Sequence, residues 1–120
     1  MEADKHTTID ELKQHVTAFY KARSSMSDYN NEPLFTEMGL VLEASEVLEA
    51  AKYGLEIKEE LVDVLTFLLA LAVTNNIDLT TELLAKLELN ATRFPKENFI
   101  GTAEDFPRQY MEQKKRNKER

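Results

Sequence analysis

The segment that most constrains this chain is LVDVLTFLLALAV, Leu61 to Val73. Apolar side chains occupy nearly every direction around a helical wheel drawn through it, so a helix built here has no face that water can cover cheaply. Such a helix is either the central member of a bundle or shared with a second subunit. The run is too short for a membrane span and contains Asp63 and Thr66, so no membrane association is expected.

The remaining composition agrees with helix throughout. Leu, Ala, Glu and Lys abound, 42% of residues are hydrophobic, and only three Gly and three Pro interrupt 120 residues. These proportions favour an all-α fold in one domain, held by apolar packing. Cysteine is absent, which excludes disulfides, thiolate metal sites and cysteine nucleophiles. With His6 and His15 as the only histidines, neither the Glu-x-x-His pairs of a di-iron bundle nor a His-Glu-x-x-His zinc helix can be built. No signal-peptide progression opens the chain, and a cytoplasmic location is expected.

Four helices are predicted. Thr8-Ile9-Asp10-Glu11 reads as a capping box that starts the first, which runs to about Ser24. A polar loop spans Ser24 to Pro33. The second helix starts near Leu34, buries the stripe Leu40, Ala44, Val47, Leu48 and Ala51, and stops at Tyr53-Gly54. The third runs from about Ile57 to the Asn75-Asn76 break. The fourth is capped by Asp78, carries Leu79, Leu83, Leu84, Leu87 and Ala91, and ends near Phe94-Pro95. The expected architecture is an antiparallel four-helix bundle from Ile9 to Phe94 within a domain of residues 1–107, with the third helix in a subunit interface and a basic C-terminal tail at 108–120.

Charge is unevenly spread. The formal total is −7, but 108–120 holds six basic and two acidic residues, leaving the rest of the chain near −11. So acidic a body repels a phosphate backbone, so binding to a nucleic-acid polymer is not expected. A small phosphorylated ligand carried in with a metal is compatible with it.

Two acidic pairs flank the Gly54 turn: Glu43 and Glu46, then Glu60 and Asp63. At 100° per residue Glu43 falls about 40° from Val47 and Glu46 about 60° further round, while Glu49 falls on the opposite side. Glu60 shares its direction with Val64, Phe67 and Leu71 and so points inward if they do. A short turn makes the two helices neighbours, which lets the pairs meet. Two carboxylates about 6 Å apart repel by about 3 kcal/mol at an effective dielectric of ~20, so a compensating proton, base or cation is required. Oxygen donors without sulfur or imidazole suit Mg²⁺ or Mn²⁺. The plainer alternative pairs Glu43 and Glu46 with Lys52 or Lys58, and leaves Glu60 and Asp63 to complement a helix dipole. On the fourth helix Lys86, Asn90 and Arg93 follow at i, i+4 and i+7, a row that can bind phosphate oxygens.

Glu43-x-x-Glu46, thirteen residues, Glu60-x-x-Asp63, then NNIDL and KLELNATRFP together resemble the all-α nucleoside triphosphate pyrophosphatases of the MazG-like superfamily, in particular the small dCTP-pyrophosphatase-type branch. The likeness covers about Phe35 to Pro95. It implies a helical homodimer or homotetramer in which Glu43, Glu46, Glu60 and Asp63 hold Mg²⁺, and one of them, with Glu46 the candidate, orients the attacking water. It also implies hydrolysis of a (deoxy)nucleoside triphosphate between the α and β phosphates, with Lys86, Asn90 and Arg93 on phosphate and sugar. Phe94 stands where the branch often has tyrosine. Tryptophan, which that branch uses around the base, is absent, so stacking falls to Phe35, Tyr53, Phe19 or Tyr20. Two other expectations compete: a phosphoribosyl-ATP pyrophosphatase-like enzyme, and a non-catalytic helical adaptor that dimerises through its third helix.

Overall fold

A computed structural model describes residues 6–23 and 34–119, and the polar loop expected over 24–33 lies outside them. The described chain is all-helical: α1 Ile9–Lys21, α2 Phe35–Lys52, α3 Lys58–Thr74, α4 Leu79–Arg93, a 3-10 turn at Lys96–Asn98, and α5 Phe106–Lys118. It falls into two compact units, Met1–Leu79 and Thr80–Arg120. No single described helix is long and apolar enough to cross a membrane.

In the first unit, local chemistry sets each helix boundary. The Thr8 hydroxyl accepts from the Glu11 N–H at 3.1 Å while the Glu11 carboxylate accepts from the Thr8 N–H at 3.4 Å, the reciprocal cap expected of this tetrad. Gly54, at φ 68°, lets the Leu55 N–H reach back to the Ala50 carbonyl at 2.9 Å and close α2. Asn76 does the same for α3: at φ 54° it lets the Ile77 N–H bond to the Ala72 carbonyl at 2.9 Å. Asparagine is among the few side chains that tolerate this left-handed conformation.

α3 is the central element of this unit, packed against both α2 and α1. Its Leu69, Ala70 and Ala72 are buried, Ala70 completely. Lys13 of α1 ties the end of this core by donating from Nζ to the Ile77 carbonyl at 2.8 Å.

The inner line of α2 differs from the predicted stripe. Leu48 is 72% exposed, and Ala44 and Ala51 also face out. The buried residues are instead Thr36 and Ala50, with Gly39, Leu40, Glu43, Glu46 and Val47 half-buried between them. The cause is Gly39: a Cβ there would overlap the Phe67 ring, lying 2.7 Å from Cζ, so only glycine lets α3 come this close. That contact rotates α2 until the centre of its inner line runs through Glu43.

In the second unit, α4 and α5 are joined by aromatic and amide contacts. Phe94 and Tyr110 stack with centroids 5.5 Å apart and planes 9° from parallel, and Phe99 and Phe106 extend the cluster. Buried Gln113 accepts from Asn98 Nδ2 at 2.9 Å and donates to Asn117 Oδ1 at 3.1 Å. Asn117 in turn donates to the Arg93 carbonyl at 3.0 Å, at the last residue of α4. The basic tail is therefore mostly helix α5, which begins at Phe106. These contacts cover only the end of α4, so Leu83, Leu84 and Leu87, expected in a core stripe, stay exposed.

The Gly39–Phe67 contact yields a stability prediction. Gly39→Ala should destabilise the chain by about 1–3 kcal/mol, and Phe67→Leu in the same chain should recover part of the loss. Urea unfolding midpoints of the two single variants and the double variant measure the coupling.

Candidate acidic seam and cationic cleft

The α2–α3 seam draws the two acidic pairs together. Glu43, Glu46 and Glu60 are half-buried, while Asp63 and Glu49 are exposed. The Glu43 carboxyl is held above the usual carboxylate range, first by the hydrogen bond it shares with Glu46, then by burial, then by the negative charges of Glu46, Asp63 and Glu60. Its Oε2 is buried and, as a carboxylate oxygen, has no hydrogen-bond partner. Glu43 therefore sits in the joint field of the other three.

The lysines that would neutralise this cluster are engaged elsewhere. Lys58 Nζ lies 3.7 Å from Glu56 Oε1, and Lys52 Nζ lies 5.9 Å from the centroid of its neighbour Tyr53. Among the described residues no ion pair joins either to Glu43 or Glu46. An orphaned carboxylate oxygen surrounded by carboxyl groups fits a hard cation by donor type and charge. Among the described residues, however, no three Asp, Glu or His side chains converge as a ligand set. What is present is the close Glu43–Glu46 pair, and Mg²⁺ is commonly held by one or two carboxylates with the rest of its shell from water and phosphate.

Beside this seam lies an apolar cleft of about 430 Å³ lined by His15, Val16, Phe19, Tyr20, Asp63, Thr66 and Phe67. Phe19 and Tyr20 meet edge to face with centroids 5.7 Å apart, and burial pushes the Tyr20 hydroxyl up from its ordinary value. Asp63 thus belongs to both the acidic seam and an aromatic-walled cleft. Phe35 does not line this cleft; it opens α2 and is more than half exposed.

The second unit holds the predicted cationic row. Lys86, Asn90 and Arg93 line one cleft of about 490 Å³, together with Phe94 from α4 and Tyr110, Lys114, Asn117 and Lys118 from α5. The α5 residues had escaped the sequence reading, which took 108–120 as undifferentiated positive charge. A signal for them exists: Phe106, Tyr110, Gln113 and Asn117 recur at helical spacing and mark the packed side of a helix.

The upward shift of Glu43 has a definite sign. Between the ordinary carboxylate range and the raised value, the folded chain keeps a proton that the unfolded chain has lost, so stability falls as pH rises through that window. Glu43→Gln should therefore raise Tm by a few degrees near pH 7, with the gain disappearing toward about pH 4. Thermal melts in chelator check this, and a lower Tm for the glutamine variant at neutral pH would mean that the charge is already compensated in the fold. Comparison with protein-family models, with curated proteins and with solved structures found no match.

Proposed function

We propose that this chain is a metal-dependent nucleoside triphosphate pyrophosphohydrolase of the MazG-like kind, cleaving (deoxy)nucleoside triphosphates between the α and β phosphates. The observation that carries this reading is Glu43: a carboxyl in the contact line of two helices, one oxygen orphaned, in the field of three more acids. A purely structural seam gains nothing from such an arrangement, because burying an unpaired carboxylate beside others destabilises the fold. A divalent cation offsets that cost.

In this reading the close Glu43–Glu46 pair would hold Mg²⁺ or Mn²⁺, with the rest of the shell from water and phosphate, while Glu60 and Asp63, the other two acids of the resemblance, add negative charge to the same seam. When bound, the ion supplies neutralisation of phosphate charge. Glu46, half-buried beside Glu43, takes the proton of the attacking water as its oxygen bonds to the α phosphorus. The bond from that phosphorus to the bridging oxygen breaks, and pyrophosphate leaves with the electron pair. The row of the second unit, Lys86 and Arg93 with the amide of Asn90, carries donors that suit phosphate oxygens. The base stacks on Phe19 or Tyr20 rather than Phe35, since the former line a cleft that also contains Asp63.

The exposed apolar residues bear on assembly. Met38, Val41 and Leu48 of α2, with Leu61 and Val62 of α3, are each half exposed or more, as are Leu83, Leu84 and Leu87 of α4. Large apolar side chains clustered on helices at this exposure mark surfaces that another subunit covers. A homodimer or homotetramer, completing a four-helix bundle around α3, satisfies them. The same ridges favour the adaptor as a second reading, but an adaptor leaves Glu43 without a role.

The test is pyrophosphate release from a panel of canonical and modified nucleoside triphosphates and phosphoribosyl-ATP, with Mg²⁺, with Mn²⁺ and with chelator. Turnover is expected only with a divalent cation, and Glu46→Gln should lower kcat by about 10²-fold or more. Glu60→Gln should abolish turnover while leaving helicity intact. Absence of monophosphate and pyrophosphate from every substrate under either metal would overturn the enzymatic reading, and preference for phosphoribosyl-ATP would redirect it.

A further inference from the structure

α5 carries cations whose arrangement goes beyond the row on α4. Along its length the positive charges are treated in two ways. Arg108, in the first turn, is neutralised by Asp105 at 3.8 Å and Glu112 at 3.5 Å. Lys114 and Lys118, one helical turn apart, have no ion pair with a described carboxylate, and neither do Lys86 and Arg93 across the cleft. All four line the same cavity of about 490 Å³, and no acidic side chain lines it with them.

Helix-dipole complementation explains a cation in a last turn, which covers Arg93 and Lys118. It does not explain Lys86 in the middle of α4, nor the gathering of all four around one space. Like charges gathered around one concavity repel one another, and an anion that enters it relieves that repulsion. The walls are also fixed in place. Asn117 is bonded to the Arg93 carbonyl and to Gln113, the stacked Phe94 and Tyr110 both line the cavity, and Lys114 Nζ lies 5.0 Å above the Tyr110 ring. Asn90 and Asn117 bring amide groups to the same cavity, and the Arg93 guanidinium can grip two oxygens of one phosphate.

We propose that α5 is the second wall of an oligophosphate site, in which Lys114 and Lys118 act with Lys86 and Arg93 on a di- or triphosphate group. Four cations and two amides match the charge and the many acceptor oxygens of a linked phosphate chain better than those of a single carboxylate or monophosphate. This inference rests on the proposed reaction only for its natural carrier, a nucleoside triphosphate. Binding of the inorganic anion does not depend on hydrolysis.

The probes are inorganic pyrophosphate and tripolyphosphate, titrated calorimetrically into the full chain in chelator, so that the carboxylates take no part. The wild type should bind both, with affinity falling as salt rises. Lys114→Gln with Lys118→Gln should weaken binding about tenfold or more. Lys115→Gln with Arg116→Gln removes the same charge from α5 outside the cleft and should change affinity less than about twofold. Circular dichroism of both double variants confirms that helicity is retained. Failure of the wild type to bind either anion, equal weakening by the two double variants, or tighter binding of a short deoxythymidine oligonucleotide than of tripolyphosphate would each overturn the assignment. Pyrophosphate binding without any nucleotide hydrolysis leaves this site standing and removes the catalytic reading alone.

Discussion

The close approach of α2 and α3 at Gly39 and Phe67 governs the rest of the first unit. Without a side chain at position 39, the phenyl ring of α3 lies against the backbone of α2, and the facing line of α2 is then fixed by helical geometry. That line runs Thr36, Gly39, Glu43, Val47, Ala50, so a carboxylate sits at its centre. The larger apolar residues of α2, Val41 and Leu48 among them, are carried to the far side. One glycine thus decides both that an acid faces inward and that a leucine faces out.

The seam holds an energetic contradiction that a helical pair does not need. Of the buried apolar residues on the two helices, Ala50, Leu69, Ala70 and Ala72, three are alanines that contribute little apolar area each. Against that modest gain, Glu43 adds desolvation and repulsion from three acids. Folds tolerate such groups where function requires them, and stability is lost locally in exchange.

Much of the helical plan was legible because helix ends are local chemistry. The Thr8–Glu11 cap, the stop at Gly54 and the break at Asn76 depend only on residues within one turn of each end. The rotation of α2 was not legible, because it depends on a contact between Gly39 and Phe67, 28 positions apart in the chain. The apolar stripe Leu40–Ala44–Val47–Leu48–Ala51 ranks residues by hydrophobicity, whereas the packed line ranks them by how closely a backbone can be approached. The direction of Glu60 was read from its register with Val64, Phe67 and Leu71, and all four are half-buried. Phe35 was picked for its type alone, and an aromatic at the first residue of a helix has only half a neighbourhood to bury it.

The second unit shows why a run of like charges needs three-dimensional reading. Between 108 and 118 Tyr110, Gln113 and Asn117 recur every third or fourth residue and pack inward, and six of the others are charged. Helical spacing sorts the charges onto different sides: Arg108 meets Asp105 and Glu112, while Lys114 and Lys118 turn toward α4. Composition counts these as equivalent, but their surroundings make the first a local clasp and the other two part of a cavity wall. The distinction follows from the aromatic cluster, since stacking of Phe94 on Tyr110 sets the rotation of α5 and so selects which lysines share a space with Lys86 and Arg93. Moving the aromatic by one position along α5 would rotate the helix by about 100° and place a different pair of cations there.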